Sequence, residues 1–193
     1  METKVIYGTE LAAKVKASLK YQVQLVKHHK PTLAVIQVGD NPASQTYVRN
    51  KVKACEEVGI KSKVIHFGED TSEEVLQVII DWLNKDTCVD GILVQMPLPK
   101  HINESKIISM IDPNKDVDGL HPENVGKLHS GKYGLLPCTP LGIMEILKEA
   151  EVDLSGKHAV VLGRSKLVGA PVAKLLMDKD CTVTICQDRK SVV

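Results

Sequence analysis

Tyr47 and Lys51 stand four residues apart, so on a helix both side chains lie on one face, one turn apart. An aromatic platform beside an amine suits a flat organic substrate that needs proton transfer. The same pair also reads as a half-buried Tyr and a surface Lys on an ordinary amphipathic helix, and spacing alone does not separate the two. Gln95 follows the apolar run Gly91–Ile92–Leu93–Val94 and precedes Met96–Pro97–Leu98–Pro99, whose two prolines fix a rigid loop. Open α/β sheets hold ligands at such strand ends. A glutamine that satisfies nearby backbone is an equally compatible reading. Asp112, Asp116 and Asp118 fall within one turn-rich stretch ending at Gly119, but no Glu occupies the closing position of a calcium loop. A solvated acidic turn and a carboxylate that reads ring N–H groups both fit. Gly163–Arg164–Ser165 forms the turn of a strand-turn-helix pattern. The G-x-G-x-x-G fingerprint is absent, yet Gly163 frees the backbone to approach a phosphate, the following helix start offers N–H donors and Arg164 offers charge. A plain α/β turn with a surface Arg accounts for the same residues.

The elements that must position these groups alternate. Thr9 caps a helix expected to run to about His29, with Leu11, Val15, Leu19 and Val23 as its apolar stripe. Leu33–Gly39 reads as a buried strand, followed by the Tyr47 helix, which ends at Gly59. Lys61–Phe67 is the second strand. Thr71–Ser72–Glu73–Glu74 reads as a capping box, and the helix after it turns Val75, Leu76, Ile79, Ile80 and Leu83 inward. Gly91–Val94 is the third strand, and this order implies a parallel sheet. A short helix is expected over Asn103–Ile111, and Thr139–Pro140 is expected to start another that runs to Ala150. A second unit begins with the strand His158–Leu162, then a helix over Leu167–Met177 and a strand over Cys181–Cys186. We therefore expect an α/β protein: an N-terminal three-layer domain with a mainly parallel sheet over 1–150, then an incomplete Rossmann-type portion over 151–193. One βαβ unit cannot cover both faces of its own sheet, and the open edge leads us to expect self-association as a homodimer.

The 193 residues carry a formal net charge of +1, which gives no support for nucleic acid or a membrane surface as partner. The five cysteines form no C-x-x-C pair, so neither a disulfide framework nor a metal site is expected. Free thiols and the lack of a leader-like apolar start point to the cytoplasm.

Five motifs occur in one order: Ala43–Ser44 with Tyr47–Val48 and Lys51; Gly91–Gln95 with Pro97–Leu98–Pro99; Lys115–Asp116–Val117–Asp118–Gly119; Pro137–Cys138–Thr139–Pro140; and Gly163–Arg164–Ser165 with Val168–Gly169 and Pro171. Together they resemble the bifunctional methylenetetrahydrofolate dehydrogenase/methenyltetrahydrofolate cyclohydrolase family (FolD type), from the N-terminus to about Cys186. The resemblance implies an enzyme that oxidises 5,10-methylenetetrahydrofolate with NADP and hydrolyses the methenyl product to 10-formyltetrahydrofolate. It implies that Lys51 transfers protons, that Gln95 orients it and that Asp118 holds the pterin ring. Tyr47 would stack on the folate and Pro97 would line its site. Gly163, Arg164, Ser165, Thr139 and Arg189 would bind the cofactor. A non-catalytic folate-binding or interaction module is the alternative reading.

Two departures from the family pattern bear on the cofactor. The family's Cys–His–Ser–Arg segment is here Cys186–Gln187–Asp188–Arg189, and an acid at Asp188 favours the free ribose hydroxyl of NAD. Arg164 and Arg189 favour a 2′-phosphate, and NADP is the expectation. The family also continues beyond the point where this sequence ends, so a complete folate half-site beside an incomplete nicotinamide site is expected.

Overall fold

The computed structural model describes residues 5–187. By internal contacts the chain divides into two units, one formed by Ala12–Val117 and the other by the residues on either side of it. This division falls at Asp118, earlier in the chain than the expected change near 150.

The first unit is built on β1 (Thr32–Val38), β2 (Lys61–Phe67) and β3 (Gly91–Val94), all parallel, in the order β2-β1-β3. Apart from Thr32 and the buried Gln37, the central strand is apolar without alternation, as suits a strand covered on both faces. Residues Ala34 to Val38 and all four residues of β3 are buried. Alternate side chains point to opposite faces. Val35 and Leu93 meet Val48 and Val52 of α2 (Pro42–Val58) on one face. Ala34, Ile36, Val38, Ile92 and Val94 pack on the other against Leu76, Ile80 and Leu83 of α3 (Glu73–Lys85) and Ile107 of α4 (Glu104–Met110). The expected three layers are therefore present.

Several local expectations change. α1 (Gly8–Leu25) ends before His28, and none of its residues is buried. Its Lys16 pairs with Glu57, and Val23 lies beside Gly59, so it touches the end of α2 while Val15 and Leu19 of the expected stripe face solvent. The capping box is not formed as expected, because Ser72 makes no side-chain bond to the helix backbone. The Glu73 carboxylate instead accepts from Lys106 Nζ (2.6 Å) and Asn103 N (2.8 Å), tying α3 to the start of α4. These bonds, the lysine's first, hold its pKa below the ordinary carboxylate value. Val75 is exposed rather than inward-facing.

The second unit contains α5 (Pro122–His129), to which no expected element corresponds, α6 (Cys138–Glu149), β4 (His158–Leu162), α7 (Gly169–Met177) and β5 (Thr182–Cys186). The Thr139 cap is corrected: the cap lies two residues earlier, at Pro137, and α6 starts at Cys138. β4 and β5 pair in parallel. Exposure alternates along β4, where Val160 and Leu162 stand exposed on one face. Among the described residues no helix is long and apolar enough to cross a membrane. No cluster of three His, Cys, Asp or Glu residues suited to a metal occurs among them.

Candidate functional site

The strand order 2-1-3 puts the change of winding direction between β1 and β3, where crevices open at the carboxyl ends of parallel strands. α2 follows β1 at that end. Its start is set by Asn41, whose Oδ1 accepts from Ala43 N (3.0 Å) and Ser44 N (3.1 Å), with Pro42 in the first turn. Its end is set by Gly59 in the left-handed conformation (φ 90°). Ser44 and Val48 bury one stripe of the helix. That leaves Tyr47 exposed and Lys51 half-buried on the neighbouring stripe.

Lys51 Nζ donates to Gln95 Oε1 at 3.0 Å. A side chain on a helix leans toward the N-terminus, so the lysine reaches back to the strand ends. Gln95 is fixed twice. Its N–H still pairs with Ile36 O (2.8 Å), and its Nε2 donates to Met96 O (2.8 Å). With the amide nitrogen engaged, Oε1 is the atom that faces the amine, and an ammonium is donor only. Pro97 follows, exposed, after a cis Met96–Pro97 bond, and Leu98 anchors the loop in the core. Tyr47, Lys51, Gln95 and Pro97 thus belong to one unit, and two of them touch. Asp118 opens the C-terminal segment of the other unit and is half-buried.

The segment leading to Asp118 is anchored by Lys115. Lys115 Nζ donates to Leu83 O (2.9 Å), Asn84 O (2.8 Å) and Asp86 O (2.8 Å) at the end of α3. The acidic stretch is therefore not a solvated turn throughout: Asp116 is 1% exposed and bridges Ile92 of β3. No spacing rule would have revealed Lys115's partners, because they are backbone carbonyls.

In the second unit Gly163 has φ 113° and open space where a side chain would stand. A Cβ on Gly169 would collide with the Gly163 carbonyl oxygen, so both positions require glycine. A cavity of about 570 Å³ opens here, lined by Gly163, Arg164, Ser165, Gly169, Ile143 and Gln187 among others. The open backbone at Gly163 and the exposed Arg164 fit a phosphate-bearing cofactor. One expectation is corrected. The N–H groups of Val168 and Gly169 donate to Ser165 Oγ (3.2 and 3.4 Å), and that of Ala170 to Ser165 O (3.0 Å), so the start of α7 is satisfied internally. Ser165 shapes the turn. Thr139 is exposed in the first turn of α6 and is not among the residues lining this cavity. Asp188 and Arg189 lie outside the described residues.

Comparison with known proteins agrees with both units. The model for the tetrahydrofolate dehydrogenase/cyclohydrolase catalytic domain matches residues 6–118, and that for the family's NAD(P)-binding domain matches 137–192. The bifunctional protein FolD of Ruminiclostridium cellulolyticum is 54% identical over 191 residues, covering 98% of this chain and 67% of its own length. The crystal structure of the bifunctional enzyme FolD from Campylobacter jejuni superposes with a TM-score of 0.92 at 51% identity, over 95% of this chain and 66% of that one. The Trypanosoma brucei enzyme, solved with NADP cofactor and inhibitor, gives a TM-score of 0.92 at 37% identity, over 97% of this chain and 65% of that one. The chain thus spans about two thirds of the length of the relatives it matches. With matches of this extent on both units, the chain belongs to the tetrahydrofolate dehydrogenase/cyclohydrolase family.

Proposed function

We propose that this protein oxidises 5,10-methylenetetrahydrofolate with NADP and hydrolyses the resulting 5,10-methenyltetrahydrofolate to 10-formyltetrahydrofolate. The observation that carries the reading is the Lys51 Nζ to Gln95 Oε1 bond at the sheet's carboxyl end. Residues up to Asp118 are assigned to the folate and those of the segment matched by the NAD(P)-binding model, 137–192, to the cofactor.

Lys51 exchanges a proton at Nζ with the attacking water during hydrolysis. Gln95 holds the amine in place through an acceptor that is itself tethered to Met96 O. Tyr47 offers its exposed ring as a stacking surface, Pro97 borders the site and the Asp118 carboxylate accepts from ring N–H groups. NADP, when bound, accepts the hydride. Gly163 and Arg164 are assigned to its phosphates, Ser165 to the shape of their turn, and Thr139 and Arg189 to further contacts. Hydride transfer requires no protein nucleophile, only two faces held together. The non-catalytic alternative gains no support, since the Gly163–Gly169 turn is formed and the family's cofactor-binding model matches around it.

We place the protein in the cytoplasm, in keeping with its free cysteines. A homodimer is the assembly we propose, on the ground that Val160 and Leu162 are exposed on β4. The function is tested by following loss of methenyltetrahydrofolate absorbance and, separately, NADP reduction with methylenetetrahydrofolate. Enzyme-dependent rates in both assays are expected. A hydrolysis rate equal to that of buffer contradicts the proposal.

A further inference from the structure

We infer that Lys115 is a positioning residue for the folate site, acting through Asp118. The inference rests on the folate reading above. An ammonium has three donors, and all three of Lys115's are used on three carbonyls at the end of α3. Those carbonyls are the negative end of the helix dipole, which favours a cation there. The same residue's main chain is also held: its N–H donates to Asp112 O (2.8 Å) and its carbonyl accepts from Ile92 N (2.7 Å). One step on, Asp116 bridges Ile92 in parallel. Gly91 lets the segment come close, because a Cβ there would collide with Val117 Cγ1.

Two site residues leave from this bridge in the same chain direction. Gln95 follows Ile92 by three residues and Asp118 follows Asp116 by two. The register at the bridge therefore fixes where each chain exits. The Lys115 clamp fixes the register, since a slip along β3 would pull the amine off its carbonyls. Lys115 itself touches no substrate in this account.

A planar guanidinium fork cannot converge on three carbonyls as a point cation does. Lys115→Arg keeps the charge and is the variant expected to fold. Lys115→Met removes the clamp outright. Binding of 5-formyltetrahydrofolate, a non-reacting probe, is measured by calorimetry below the onset of unfolding seen by circular dichroism. Lys115→Arg is expected to weaken binding about tenfold, as a small displacement of a binding group does. In an Asp118→Asn background the same change is expected to weaken binding no further, because its effect passes through Asp118. A merely structural lysine would give equal losses in both backgrounds. Wild-type affinity in Lys115→Arg, or losses that multiply, overturns the inference and leaves the folate reading standing. Failure of the wild-type chain to bind the probe overturns both.

Discussion

The Lys51 region and the Gly163 region are both βα connections at the end of a parallel strand, yet they are built on opposite principles. Around Lys51 the strands are buried on both faces, and the site consists of side chains fixed by the core beneath them. Around Gly163 no strand residue is fully buried, and the site consists of backbone shape. Side-chain sites are broken by changing functional groups, whereas backbone sites are broken by adding a single methyl.

The largest effect is expected at Lys51. In Lys51→Met, turnover for methenyltetrahydrofolate hydrolysis should fall by about 10²- to 10⁴-fold, the range for a lost acid–base group, with KM far less changed. Steady-state kinetics decide it, and an unaltered kcat would turn the pair back into an ordinary helix surface. Next comes Gly169→Ala, whose methyl collides with a carbonyl rather than a flexible side chain. A cost of about 1–3 kcal/mol is expected, together with weakened NADP binding. Urea unfolding and calorimetry would show it, while the Lys51-dependent hydrolysis should survive. If both activities fell together, the contrast between the regions would be lost.

Removing the cap of the Lys51 helix is a smaller perturbation. Asn41→Ala takes away an acceptor for two N–H groups and should cost about 1 kcal/mol in thermal or urea unfolding. The smallest effect is electrostatic. Glu73 binds its proton less readily in the fold than in the unfolded chain. Its contribution is therefore present above the ordinary carboxylate range and is lost as pH falls through the lowered folded value. Glu73→Gln should melt below wild type at neutral pH, and the gap should close in acid. A gap that persists in acid would show that shape, not charge, links α3 to α4.

The same contrast explains what the sequence made legible. Leu33–Gly39 and Gly91–Val94 point to a covered parallel sheet because Leu33–Ile36 and Gly91–Val94 are continuous apolar runs, and the Tyr47 helix shows both ends through its loop and Gly59. The Lys51–Gln95 contact spans 44 positions and came only through the resemblance, since no local spacing connects them. α5 escaped because Gly126 and the scattered polar residues of Pro122–His129 blur its period, although Asn124 and Leu128 are buried. Val15 and Leu19 misled because periodicity reports a stripe and says nothing of what covers it. The start of α7 misled differently: Ser165 occupies the donors that a bare helix end would offer.

The central claim is that Lys51 and Gln95 work as one unit on the folate. A double-mutant cycle on methenyltetrahydrofolate hydrolysis, with Lys51→Met and Gln95→Ala, measures that coupling directly. The account predicts that Gln95→Ala slows the wild-type protein but has no further effect once Lys51 is gone. Equal slowing in both backgrounds would contradict it.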